Sequence, residues 1–163
     1  MSGPLPDNVH SLLSKSKFLH LATCADNTPH VSLMNYTLIN SGPYENQILF
    51  CTPKNTKKYQ NLVANPKVSI LIHDWTSSVE DQSLRSMIEN LNKNEIGDLS
   101  ITMDGHVTKT IGEEDKDFEE FKALHLAVNP RAGAFVNGDT AFVLVKIDVS
   151  KVSDSRNNVE EYK

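Results

Sequence analysis

The run Phe50-Cys51-Thr52-Pro53-Lys54-Asn55-Thr56-Lys57-Lys58-Tyr59 is where this sequence gathers groups able to hold an anion. It reads as a strand end leading into a helix that Asn55 or Thr56 caps, because Pro53 stops the strand and Tyr59, Leu62 and Val63 then follow at helical spacing. The first amides of a helix have no internal partners and carry the positive end of its dipole. Hydroxyls from Thr52 and Thr56 and ammonium groups from Lys57 and Lys58 would complete a cradle for a dianion such as a phosphate ester. The same residues also fit a plainer arrangement, in which Thr56 only caps the helix and the lysines form a solvated face.

Other residue types that do chemistry are sparse. His20, His30, His73, His106 and His125 show no metal-type spacing, so no metal site is expected and most of these rings read as structural. His30 is set apart because it could hydrogen-bond a phosphate or a ring oxygen. Cys24 and Cys51 have neither zinc-type spacing nor a basic neighbour in sequence, and Cys51 reads as a small packed residue. The acidic run Glu113-Glu114-Asp115 reads as the dipole-complementing first turn of a helix.

These groups have to be positioned by a sheet. Phe18 to Cys24 and His30 to Ile39 flank a turn segment from Ala25 to Pro29 and predict two antiparallel strands; Ile48 to Thr52 predicts a third. Lys67 to His73, Leu99 to Thr110 with a bulge or bend at Gly105, and Ala141 to Val149 complete six. Helices are expected over Asp7 to Lys17, from Thr56 to Asn65, and over Glu113 to Val128, whose stripe would be Phe118, Phe121, Leu124 and Val128. Residues 76–98 read as an amphipathic helical insertion after Trp75, and the chain from Ser150 onward as a loose tail or one that reaches across a partner. No repeat or linker divides the 163 residues, so the expectation is one domain spanning 1–163. It would be mainly β (α+β): a six-stranded antiparallel barrel with peripheral helices.

Composition narrows the function classes. The net charge of −5 argues against a nucleic-acid surface, and no apolar stretch is long enough for a membrane helix. The start of the chain lacks the basic and greasy parts of a signal peptide, and two cysteines make no disulfide framework, which fits the cytoplasm and also the nucleus.

Pro29-His30-Val31-Ser32-Leu33-Met34-Asn35-Tyr36, then Ile48-Leu49-Phe50-Cys51-Thr52, then Thr56-Lys57-Lys58 with Leu62 and Asn65-Pro66-Lys67-Val68-Ser69, resembles the pyridoxamine 5′-phosphate oxidase-like split-barrel family in order and spacing. That resemblance implies a split barrel, FMN as cofactor, and a homodimer with two FMN sites between subunits. It implies that His30, Val31, Ser32, Leu33, Met34 and Asn35 run beside the isoalloxazine and that Cys51 and Thr52 touch the flavin. It further implies that Thr56, Lys57 and Lys58 hold the phosphate, and that Ser100 reaches the cofactor.

The sequence also departs from the oxidases of that family. Asn35 stands where they carry a basic residue, and no C-terminal Trp, Arg and His segment is evident; Arg156 is the one late cation of that kind. A phosphorylated substrate needs a cationic clamp of its own beside the one that holds FMN, and one clamp is visible. The resemblance therefore implies an FMN-dependent oxidoreductase acting on a small molecule other than pyridoxamine phosphate. A flavin-binding sensor or interaction module without turnover is the alternative, and a haem- or deazaflavin-binding relative is a third reading.

Overall fold

The computed structural model describes residues 3–73, 99–136, 138–154 and 156–163. Trp75 and the helical insertion expected over 76–98 lie outside the described residues. Eight strands make one sheet in the order β2-β1-β5-β6-β7-β4-β3, with β8 joined to β7 beside that path. They are β1 (Phe18–Ala25), β2 (Thr28–Asn35), β3 (Thr37–Leu38), β4 (Ile48–Pro53), β5 (Lys67–His73), β6 (Ser100–Gly112), β7 (Thr140–Ser153) and β8 (Val159–Tyr162). Every pairing is antiparallel.

β2 and β3 stand at opposite ends of this hydrogen-bonded path, yet Tyr36 alone separates them in the chain. The sheet must therefore curl until its ends nearly meet, and the place where no ladder joins them is the split of a barrel. The six expected strands are all present. β3 is the far end of the expected His30–Ile39 strand, broken off where Tyr36 turns its hydroxyl to donate to the Leu13 carbonyl at 2.6 Å.

Alternation along β7 sorts two cores. Val143, Val145 and Ile147 face the barrel interior with Leu19, Leu21, Ile70, Ile101 and Met103, while Phe142 and Leu144 face outward with Ile111, Phe118 and Phe121. Burial on both sides is why this strand is an almost unbroken apolar run. α1 (Asp7–Lys15) adds Val9, Leu12 and Leu13 to the interior core.

Four sequence expectations need correction. The helix expected from Glu113 is α3 (Phe118–Val128), because its acids serve the preceding turn: Asp115 accepts from the Gly112 amide at 2.8 Å, and Asp117 pairs with Lys109 at 3.1 Å. Its buried face is Phe118, Phe121 and His125, whereas Leu124 and Val128 are exposed. Within α2 (Lys57–Ala64), Val63 is exposed and Asn61 is buried in its stead, donating to the Thr23 hydroxyl at 3.1 Å. The chain beyond Ser150 is not loose: β7 runs on to Ser153 and β8 folds back on it, through a turn in which Asp154 accepts from the amides of Arg156 and Asn158.

The bulge expected at Gly105 is present as a register shift between Asp104 and Gly105. A Cβ on Gly105 would lie 2.3 Å from the backbone oxygen of Lys146, an atom that cannot swing aside. Gly105→Ala is therefore expected to cost about 1–3 kcal/mol of stability, as overpacking against backbone does. Urea unfolding reads this directly, and an unchanged midpoint would mean that the β6–β7 ladder shifts freely.

Candidate functional site

The split opens as a cleft of about 240 Å³. β2 supplies Leu33, Met34 and Asn35 on one side, the end of β4 supplies Cys51, Thr52 and Pro53 on the other, and Lys58 of α2 closes one end. Phe18 of β1 and His125 of α3 also line it, as do Ala132, Phe135 and Val136 at the short 3-10 turn Pro130–Phe135 and just beyond. The walls are mainly apolar with a few polar groups, as in sites for flat organic ligands.

Local sequence explains this geometry. Pro53 ends β4, the Thr56 hydroxyl donates to the Pro53 carbonyl at 2.8 Å, and the Thr52 hydroxyl lies 3.0 Å from that of Thr56. Thr56 is also the N-cap of α2, accepting from the Tyr59 amide at 3.4 Å. The plainer reading of Thr56 is thus part of the structure, and it leaves the Lys57 and Lys58 amides at the open N-terminus.

The three lysines of the motif separate by role. Lys54 lies 3.6 Å from Glu114 and 3.5 Å from Asp139, so carboxylates already compensate it. Lys58 is partly buried, and desolvation lowers its pKa from the ordinary lysine range. Neither Lys57 nor Lys58 pairs with a carboxylate among the described residues. An ammonium drawn out of water beside two hydroxyls and free helix amides suits an incoming anion.

On β2 the side chains alternate. Val31 and Leu33 are 66% and 57% exposed, while His30, Ser32 and Met34 share the face of Thr23, Leu21 and Leu19 across the β1 ladder. Among the described residues His30 Nδ1 and Ser32 Oγ, buried there, have no hydrogen-bond partners, an uncommon condition for interior polar atoms. Burial pushes the Cys51 thiol up to about 11, which disfavours the thiolate and fits a packed residue.

Leu33, Met34, Asn35, Cys51, Thr52 and Lys58 are thus brought together at the cleft; Thr56 and Lys57 adjoin it through Thr52 and Lys58, and His30, Val31 and Ser32 continue along the same strand. Ser100 is not brought there within this chain. It pairs with His73 and Ser153 at the other end of β7 from the Thr140–Pro53 pairing, and its hydroxyl lies 2.9 Å from that of Ser153. Sequence reasoning missed Phe18, Phe135 and His125. For His125 a signal existed: it falls at helical spacing on the buried stripe of Phe118 and Phe121.

A second, more open hollow is lined by Lys67, Ser69, Asp104, His106 and Asp148. Two pairs of its polar groups satisfy one another, Ser69 donating to Asp104 at 2.6 Å and His106 lying 2.8 Å from Asp148. Among the described residues no group of side chains could hold a metal ion, and no helix is long and apolar enough to cross a membrane.

Comparison with known proteins agrees with this architecture. A heme binding protein from Mycobacterium smegmatis superposes with a TM-score of 0.65 at 16% identity, over 93% of this chain and 55% of that one. A FAD-binding protein from Mesorhizobium loti superposes with a TM-score of 0.60 at 14% identity, over 88% and 89% of the two chains. At such identities these likenesses establish the fold alone. A Schizosaccharomyces pombe protein named as a pyridoxamine 5′-phosphate oxidase homolog is 33% identical over 99% of this chain and 92% of its own length. The pyridoxamine 5′-phosphate oxidase family profile matches residues 5–156, and the chain belongs to that split-barrel family.

Proposed function

We propose that this chain binds FMN in the split of its barrel and serves as an FMN-dependent oxidoreductase for a small molecule. The observation that carries the reading is Lys58, half withdrawn from water with no described carboxylate, beside the Thr52–Thr56 hydroxyl pair at the start of α2. That arrangement matches a terminal phosphate, and the slot between β2 and β4 matches a flat ring. His30 Nδ1 and Ser32 Oγ, without partners among the described residues, are further polar atoms on the strand that would flank the cofactor.

In this reading Thr56, Lys57 and Lys58 hold the phosphate, and β2 from His30 to Asn35 runs along the ring. Cys51 and Thr52 bound the ring's other side. Bound flavin would supply the two-electron chemistry, while the protein supplies position, a dry wall and electrostatics. A second copy is the partner this reading assigns to Val31 and Leu33, whose exposure on an edge strand leaves an apolar strip beside the cleft. Ser100 would then contribute from that copy and not from its own chain.

Titration with FMN, followed by flavin fluorescence and by sedimentation at the flavin absorption band, tests the assignment. The expected result is one flavin per chain, sedimenting with a two-chain species. Protein that stays colourless with FMN in excess sinks the cofactor, and flavin on a single-chain species sinks the dimer alone.

One observation favours a second reading, a flavin-binding module without turnover. Lys58 is the single lysine or arginine among the described cleft-lining residues, so the described residues show no second clamp for a charged substrate. Bleaching of bound flavin by a reduced nicotinamide would decide for the oxidoreductase, and its absence with nicotinamide and amine donors for the module.

A further inference from the structure

We propose that His125 donates a hydrogen bond from Nε2 to an acceptor atom of the ring bound in the cleft, and that Thr37 and Asn129 fix the tautomer that makes it a donor. The proposal rests on the reading that a flavin occupies the split.

His125 is 2% exposed and lines the cleft from α3. Its Nδ1 lies 3.0 Å from the Thr37 hydroxyl, which is itself 1% exposed. Thr37 Oγ1 also accepts from Asn129 Nδ2 at 3.1 Å, and the Asn129 amide is held in place by donating to the Tyr36 carbonyl at 2.9 Å. A hydroxyl has one hydrogen to give, and a buried one needs an acceptor. Among the described residues His125 Nδ1 is the only acceptor beside Thr37 Oγ1, so the hydroxyl donates to Nδ1. The proton of the neutral ring then sits on Nε2.

Nε2 has no hydrogen-bond partner among the described residues, and His125 is one of the residues that line the cleft. The cleft is the open space beside this ring. A neutral donor lining a mainly apolar slot selects a carbonyl oxygen or an unprotonated ring nitrogen, both of which line the polar edge of an isoalloxazine. The same tautomer disfavours a role as axial ligand to a haem, which needs a bare nitrogen facing the iron. Burial agrees with the neutral ring, lowering its pKa to about 4.

The test has two arms. Long-range proton–nitrogen NMR of the ligand-free wild type reads the His125 tautomer directly. Nε2–H is expected, and Nδ1–H overturns the proposal whatever the cofactor proves to be. In the second arm FMN is titrated into wild type, His125→Leu, His125→Gln and Thr37→Val. Loss of one neutral hydrogen bond is expected to weaken FMN binding about tenfold in His125→Leu and to shift the flavin absorption band. His125→Gln, whose amide can still donate, should stay within about threefold of wild type on the same scale. Thr37→Val, nearly equal in shape, should mix the two tautomers and weaken binding severalfold, which keeps the test alive if His125→Leu fails to fold. Equal affinity and identical spectra in wild type, His125→Leu and Thr37→Val would overturn the contact while leaving the FMN assignment standing. Failure of wild type itself to take up FMN would overturn both. A haem Soret band that appears with hemin in wild type and vanishes in His125→Leu would replace the donor by a ligand.

Discussion

FMN affinity is expected to fall about a hundredfold or more when Lys57 and Lys58 are replaced together by alanine, with little change in melting temperature. Each ammonium would form a charge-assisted bond to the phosphate, worth about 1.5–3 kcal/mol apiece, and together they exceed any single contact the apolar walls could make. The fold should survive, because neither side chain makes an ion pair with a described residue and Thr56 remains in place to cap α2. Lys54→Ala is the matched control. Lys54 is tied to Glu114 and Asp139, so its loss should leave FMN affinity within about twofold, as surface pairs contribute little. The difference between the two variants should shrink as salt rises, since screening weakens exposed charge contacts first. An unchanged dissociation constant in the double variant would move the phosphate away from α2 and remove the argument on which the cofactor assignment rests.

Legibility in the sequence followed the range of the physics. Lys67–His73 is found within its expected bounds because a nearly continuous apolar run and a preceding proline are local signals. The Thr56 cap and the Gly105 bulge were readable for the same reason, each depending on a handful of neighbouring residues. Phe118–Val128 was readable as a helix but not in its start, since Asp115 and Asp117 are drawn off by Gly112 and Lys109, partners that a helical pattern does not reveal. β8 was lost because Val159–Tyr162 carries two glutamates and becomes a strand only by pairing with the end of β7. The motif side of the cleft was legible as a unit. Its other wall was not, because Phe18, His125 and Phe135 come from three distant segments that meet only when the barrel curls.

Stability is expected to fall by up to about 3 kcal/mol between pH 6.5 and pH 4, with His125 as the main cause. Burial holds the folded ring near a pKa of about 4, below the ordinary histidine value of 6.5 that the unfolded chain regains. Between those values the unfolded state binds the extra proton, so folding is favoured as pH rises and weakened as it falls. Below about pH 4 both states are protonated and this loss levels off. Asp154 and Glu161 act in a lower window: hydrogen bonds from Asn158 and from Lys163, respectively, depress these carboxyls, so their contribution is lost only at more acid pH. Hydrogen bonding adds to the solvation cost. A proton on His125 Nδ1 would face the Thr37 hydroxyl hydrogen, and turning that hydroxyl to accept would leave its own hydrogen buried without an acceptor. Urea unfolding of wild type and His125→Gln at intervals from pH 7 to pH 4 separates the terms. The wild-type curve should slope downward through this range and the variant's should be nearly flat, because glutamine does not titrate. Parallel curves would assign the acid sensitivity to other groups and leave His125 as packing alone.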